Sequence, residues 1–141
     1  MNVPKEQGKS YSVLGSILTI KITAEETNGA FSVVEGVYPR QVGPPLHVHD
    51  EEDEIFYILE GEFETQVGSD SYKVSAGAWL SLPRKIPHGY KCVGNSFGKV
   101  HVIITPGGFE KSFVEIGSLP SDPMDMKKTL EIFARYGCKF L

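Results

Sequence analysis

The 141-residue sequence predicts one all-β domain, a sandwich or barrel of short strands followed by a short helical tail. Three observations carry that expectation. Runs rich in Val, Ile, Phe, Tyr and Thr recur at short, regular intervals, without the intervening helical patterns that βαβ units require. The 15 glycines and 9 prolines fall between those runs as punctuation. Beyond Pro106-Gly107-Gly108 the apolar residues take a helical spacing instead.

Taken in order, strands are expected at 11–22, 31–38, 45–49, 54–60, 62–67, 71–74, 78–82, 88–93 and 98–105. Turn chemistry bounds them: Thr27-Asn28-Gly29, Gly43-Pro44-Pro45, Gly61, Gly68-Ser69-Asp70, Ala76-Gly77, Pro83 to Pro87 and Gly94-Asn95. Phe109, Phe113 and Ile116 share one face of a short helix. A loop at 117–123 follows. Asp122 or Asp125 then caps a last helix, with Leu130, Phe133 and Ala134 on its apolar stripe and Gly137 at its end. No linker, repeat or low-complexity tract divides the chain, so residues 1–141 read as one domain, a barrel over about 11–105 and a tail over about 109–141.

Composition narrows the partners. At 40% hydrophobic and 23% charged residues the chain has the profile of a soluble globular domain. The net charge is −4 and the Lys and Arg residues are scattered, so a nucleic-acid partner is not expected. Cys92 and Cys138 are too few for a disulfide framework and lack metal-type spacing, which suits a reduced, cytoplasmic setting. The apolar segment 11–22 contains Lys21 and no small-residue cleavage pattern, and it alternates at Leu18, Ile20 and Ile22. It reads as a strand rather than a secretion signal. No run reaches the length of a membrane span. A small molecule is the expected partner.

The chemistry concentrates in PPLHVHDEEDEIFYILEG, residues 44–61. In an extended segment His47 and His49 point to one face, their Cα atoms about 6.5 Å apart, near enough to converge on one atom. In the next strand Glu54, Phe56, Ile58 and Glu60 share one side and Ile55, Tyr57 and Leu59 the other, so both faces are expected to be buried. A carboxylate leading such a strand needs a partner, because desolvation penalises an unpaired charge. The acids from Asp50 to Asp53 read as a solvated turn. His88, between the rigid Pro87 and the permissive Gly89, is the further candidate ligand. Three imidazoles and a carboxylate suit one divalent transition ion, Fe, Mn, Ni, Zn or Cu, with coordination positions left open. Tyr90 and Cys92 share the strand face of His88 and, with Phe56, are candidates for lining a pocket. Ile58, Trp79, Phe109 and Phe113 read as core, and His101 as a satisfied histidine outside the motif.

These residues resemble the cupin superfamily. His47-Val48-His49, four residues, Glu54, six residues and Gly61 match the length of its first motif, and Gly77, Pro83 and His88 fall in register with its second. Gln41, Lys85 and Cys92 stand where the pattern has Gly, Gly and Asn. The ends Ile104 to Glu110 and Ala134 to Leu141 are similar to the tail of bacterial single-domain cupins of the quercetin dioxygenase-like type. The resemblance implies a single double-stranded β-helix (jelly-roll) barrel, a metal held by His47, His49, Glu54 and His88, and a homodimer. It favours a dioxygenase acting on an enolic or aromatic, flavonol-like molecule, with Glu54 as the catalytic base. The alternatives are an oxygen-independent metal-dependent isomerase or epimerase, and a non-catalytic small-ligand-binding module.

Overall fold

A computed structural model describes all residues, 1–141. Two antiparallel sheets face each other. One has six strands in the order β1(Lys9–Val13), β2(Ser16–Ile22), β3(Ser32–Tyr38), β10(Gly98–Thr105), β5(Asp53–Glu60), β8(Trp79–Leu82). The other has five: β11(Cys138–Phe140), β4(His47–His49), β9(His88–Cys92), β6(Glu62–Val67), β7(Asp70–Ser75). The chain alternates between the sheets, which is jelly-roll architecture. No helix is long and apolar enough to cross a membrane.

Period-two alternation places the core. In β10, Val100, Val102 and Ile104 point inward, and in β5, Glu54, Phe56 and Ile58 do the same. Phe63 and Cys92 answer them from the five-stranded sheet. Gly61 makes the β5–β6 turn at φ 86, where a Cβ would lie 2.9 Å from Gly98 Cα, so both left-handed backbone and close approach call for glycine.

Four expectations are corrected here. The strand foreseen at 11–22 is a hairpin, broken at Leu14-Gly15, both at positive φ. The outer face of β5 is not buried within the chain: Ile55 is 41% exposed, because no layer covers that side of the six-stranded sheet. The tail is not wholly helical. Helix α1(Glu110–Gly117) and helix α2(Met126–Arg135) are followed by β11, which adds an edge to β4. Asp125 caps α2, accepting a hydrogen bond from Lys128 N at 3.0 Å. The buried stripe of α2 is Thr129, Ile132 and Phe133, while Leu130 and Ala134 face solvent.

Candidate metal centre

Neighbouring strands explain why each polar side chain at the barrel mouth turns inward. On β5, Glu54 lies between Ile104 of β10 and Leu82 of β8, two apolar neighbours that cannot satisfy a carboxylate. Its partners come from the opposite sheet. His49 Nε2 and His88 Nε2 lie 3.1 and 3.2 Å from Glu54 Oε1. His47 pairs directly with His88 across β4 and β9, and the two rings are 4.4 Å apart. All four residues are buried, and their ligating atoms lie within 4.8 Å of one another.

Ring orientation can be read from the partners. His47 Nδ1 is 2.8 Å from the Pro45 carbonyl, which only accepts, so Nδ1 carries the proton and Nε2 keeps its lone pair. Behind His49, Nδ1 faces Glu52 Oε1 at 3.5 Å. Glu52 is only 7% exposed, which corrects the reading of residues 50–53 as a solvated turn. Asp53 departs from it too, being the first residue of β5 and paired with Arg84 at 3.1 Å. Asp50 and Glu51 are exposed.

The buried side-chain atoms without a hydrogen-bond partner are Ser32 Oγ, His49 Nδ1, Glu52 Oε1 and both nitrogens of His88. All but Ser32 belong to this cluster, although buried polar atoms are normally satisfied. A divalent ion accounts for His88 Nε2, which lies 3.2 Å from Glu54 Oε1 without making a hydrogen bond to it. Ligands around an ion with bonds of about 2.1 Å span at most about 4.2 Å, so closing the 4.8 Å spread on one ion takes a contraction of about 0.6 Å. The residues fit the group.

Without the ion a proton takes part of its place. Burial pulls the His49 imidazole down, but Glu54 and Glu52 lift it further, to about 9. Burial, with His88 close by, holds His47 down at about 4. Burial pushes the Glu54 carboxyl up, yet His49 and His88 outweigh it and hold the group well below the ordinary carboxylate range.

Beside the cluster is a cavity of about 60 Å³. His47, His49 and Glu54 line it at one end, and Phe56, Tyr90, Tyr38 and Phe109 line its walls. Of the candidates for pocket lining, the structure places Phe56 and Tyr90 there. Cys92 lies beyond it, fully buried, its thiol 3.5 Å from the Ser96 carbonyl. Trp79 is not core but 64% exposed, its ring 4.5 Å from Tyr57 on the outer face. His101 is away from the site, paired with Glu35 at 2.8 Å.

The sequence reading missed Tyr38, Glu52, Cys138 and Phe140. Phe140 stacks on His47 with centroids 5.0 Å apart, and Phe109 meets His49 edge-on at 4.5 Å. Phe140 and Cys138 reach the site because β11 pairs with β4, a contact between distant segments that local patterning does not encode. For Glu52 a signal existed, the three-residue step from His49.

Comparison with known proteins agrees with this fold. The chain is 28% identical over 93 residues to a quercetin 2,3-dioxygenase of Bacillus subtilis, covering 66% of this chain and 27% of that one. A quercetin 2,3-dioxygenase of Aspergillus japonicus is 28% identical over 117 residues, covering 79% and 31%. The chain thus spans less than a third of the length of either. Among solved structures, a predicted oxalate decarboxylase from Thermotoga maritima superposes with a TM-score of 0.68 at 21% identity, covering 75% of this chain and 99% of that one. The cupin domain model matches residues 33–105, just over half of the chain and including all four clustered ligands. This chain belongs to the cupin domain family.

Proposed function

We propose that the protein is a metal-dependent dioxygenase acting on a compact enolic molecule. One observation carries the reading: four buried ligating groups converge at the end of an otherwise apolar cavity, with orphaned nitrogens among them. A divalent transition ion held by His47, His49, Glu54 and His88 supplies Lewis acidity toward a substrate oxygen and, when redox-active, a path for electrons to O2.

The chain's own residues do the remainder. Pro45 fixes the ring of His47 and Glu52 stands behind His49, so the imidazoles are oriented before substrate arrives. Glu54, the one carboxylate of the cluster and a residue that lines the cavity, accepts the enol proton as the general base. Phe109 and Phe140, against His49 and His47, exclude water from that transfer.

Cavity size narrows the substrate. An apolar cavity that takes one benzene measures about 150 Å³. At about 60 Å³ this one favours a molecule smaller than a three-ring flavonol. Similarity to two quercetin 2,3-dioxygenases supports the reaction class, and the cavity favours a smaller substrate. We take the working unit to be a homodimer.

The test is oxygen uptake by protein reconstituted with Fe(II), Mn(II), Ni(II), Co(II) or Cu(II), on a panel running from small enols to quercetin, with His88→Ala as control. Metal-dependent uptake that disappears in the variant is expected, fastest with the small enols. No uptake with any pair, despite stoichiometric metal, would sink the reading.

A further inference from the structure

Resting on the metal-site reading above, we infer that the hydroxyl groups of Tyr38 and Tyr90 form a second anchor in the cavity and bind a carbonyl or enol oxygen of the substrate. The ligand class is then a short-chain molecule with an acidic oxygen group at the metal end, one further oxygen a few atoms along, and no charge beyond it.

Hydrogen-bond accounting is the first support. The two hydroxyl oxygens are 2.7 Å apart, so one donates to the other. Tyr90 has no hydroxyl partner but Tyr38, while Tyr38 also lies beside the Ser16 hydroxyl, which donates to the Val13 carbonyl at 2.7 Å. When Tyr38 donates to Tyr90, the Tyr90 proton is left without an acceptor, in a cavity whose lining, the two tyrosines aside, has 12 hydrophobic residues out of 17. An unused buried donor is costly, and a ligand oxygen relieves it.

Placement is the second. Tyr90 is two residues along β9 from His88 on the same face, one pleat of about 6.6 Å deeper into the barrel. Tyr38 reaches it from the opposite sheet because position 36 is glycine. A Cβ there would lie 2.7 Å from Tyr38 Cε2, so any larger residue displaces the ring. The tyrosine rings cross edge-on, centroids 5.4 Å apart, and Phe56 braces Tyr90 at 4.7 Å. The hydroxyl pair is therefore held in position rather than free to turn away.

The third support is what the cavity lacks. No Lys or Arg lines it, so a charged far end finds no counter-ion, and beyond the metal-binding cluster the side-chain hydroxyls are those of Tyr38, Tyr90 and Ser16. A polyhydroxylated sugar leaves most of its groups unpaired there.

The experiment pairs 3-oxobutanoate with 3-methylbutanoate, carboxylates of similar shape that differ in a ketone oxygen against a methyl group. Both are titrated calorimetrically into wild type, Tyr38→Phe, Tyr90→Phe and the double variant, with and without Co(II), whose ligand-field absorption reports the metal site. Melting curves confirm that the variants fold. Wild type should prefer the ketone by about fivefold, the worth of one hydrogen bond. In the double variant the preference should fall to unity. A preference that survives in the double variant assigns the ketone to the metal alone and overturns the inference, as does no preference in wild type. Failure of the metal reading shows separately, as a Co(II) spectrum absent from wild type or unchanged by His88→Ala.

Discussion

Glu52 offers the sharpest test of how the candidate metal centre is tuned, because its removal has two opposed consequences that pH separates. The carboxylate lies 3.5 Å from His49 Nδ1, and both side chains are buried. It favours a metal on Nε2 by fixing the ring and raising its basicity, an effect worth about 10- to 100-fold in affinity. It also favours a proton on the same imidazole, which with Glu54 it helps lift to about 9. At pH 7, two units below that value, displacing the proton weakens apparent metal affinity by about 100-fold relative to strongly alkaline solution. Glu52→Gln keeps the volume and an acceptor oxygen but loses the charge. At pH 9.5, where little proton remains to displace, the variant should bind Zn(II) at least about tenfold more weakly than wild type. At pH 7 the loss should be smaller, because the competing proton is now held less firmly. Competition against a chromophoric chelator from pH 6.5 to 9.5 measures both. Equal losses at the two ends, or none at pH 9.5, would refute the arrangement.

Other consequences follow from the same geometry. Linkage gives the metal-free protein a stability maximum near neutrality. His47, held at about 4, is lower folded than its ordinary 6.5, so the unfolded chain binds more protons and stability falls from pH 6.5 toward 4. His49 is raised to about 9, so its contribution, complete below 6.5, is lost as pH rises through 9. Thermal melts across pH 4–9.5 should show both limbs, and added metal should flatten the alkaline one; a melting temperature rising from pH 7 to 9 contradicts the assignment. Gly98→Ala would place a Cβ 2.4 Å from Phe63 Cζ, and such overpacking costs about 1–3 kcal/mol, read as a lower urea midpoint. Trp79 and Ile55, exposed on the outer face of the six-stranded sheet, suit a partner's surface. Trp79→Lys should convert a dimer to monomer in light scattering, with the melting curve little changed, and a wild-type monomer ends the dimer proposal.

The difference between what the sequence disclosed and what it hid follows chain separation. His47, His49 and Glu54 lie on consecutive strands of opposite sheets joined by a short turn, so they are close in the chain as well as in space, and Pro87 and Gly89 marked His88 locally. Strand positions were legible for the same reason: alternation and turn residues are short-range. Two neighbouring segments misled by local appearance. Continuous apolar character hid the Leu14-Gly15 turn, and a run of five acids hid Glu52, which is buried because His49 stands in front of it. What lay out of reach was closure across the chain. Phe140 meets His47 across 93 positions, and Tyr38 meets Tyr90 across 52. The short-range residues form the cluster that could hold a metal ion. The long-range ones set the cavity's size and place its second polar group. On the proposed function, substrate choice rests on the part of the site that motif spacing does not describe, and two chains sharing all four ligands can differ in reaction.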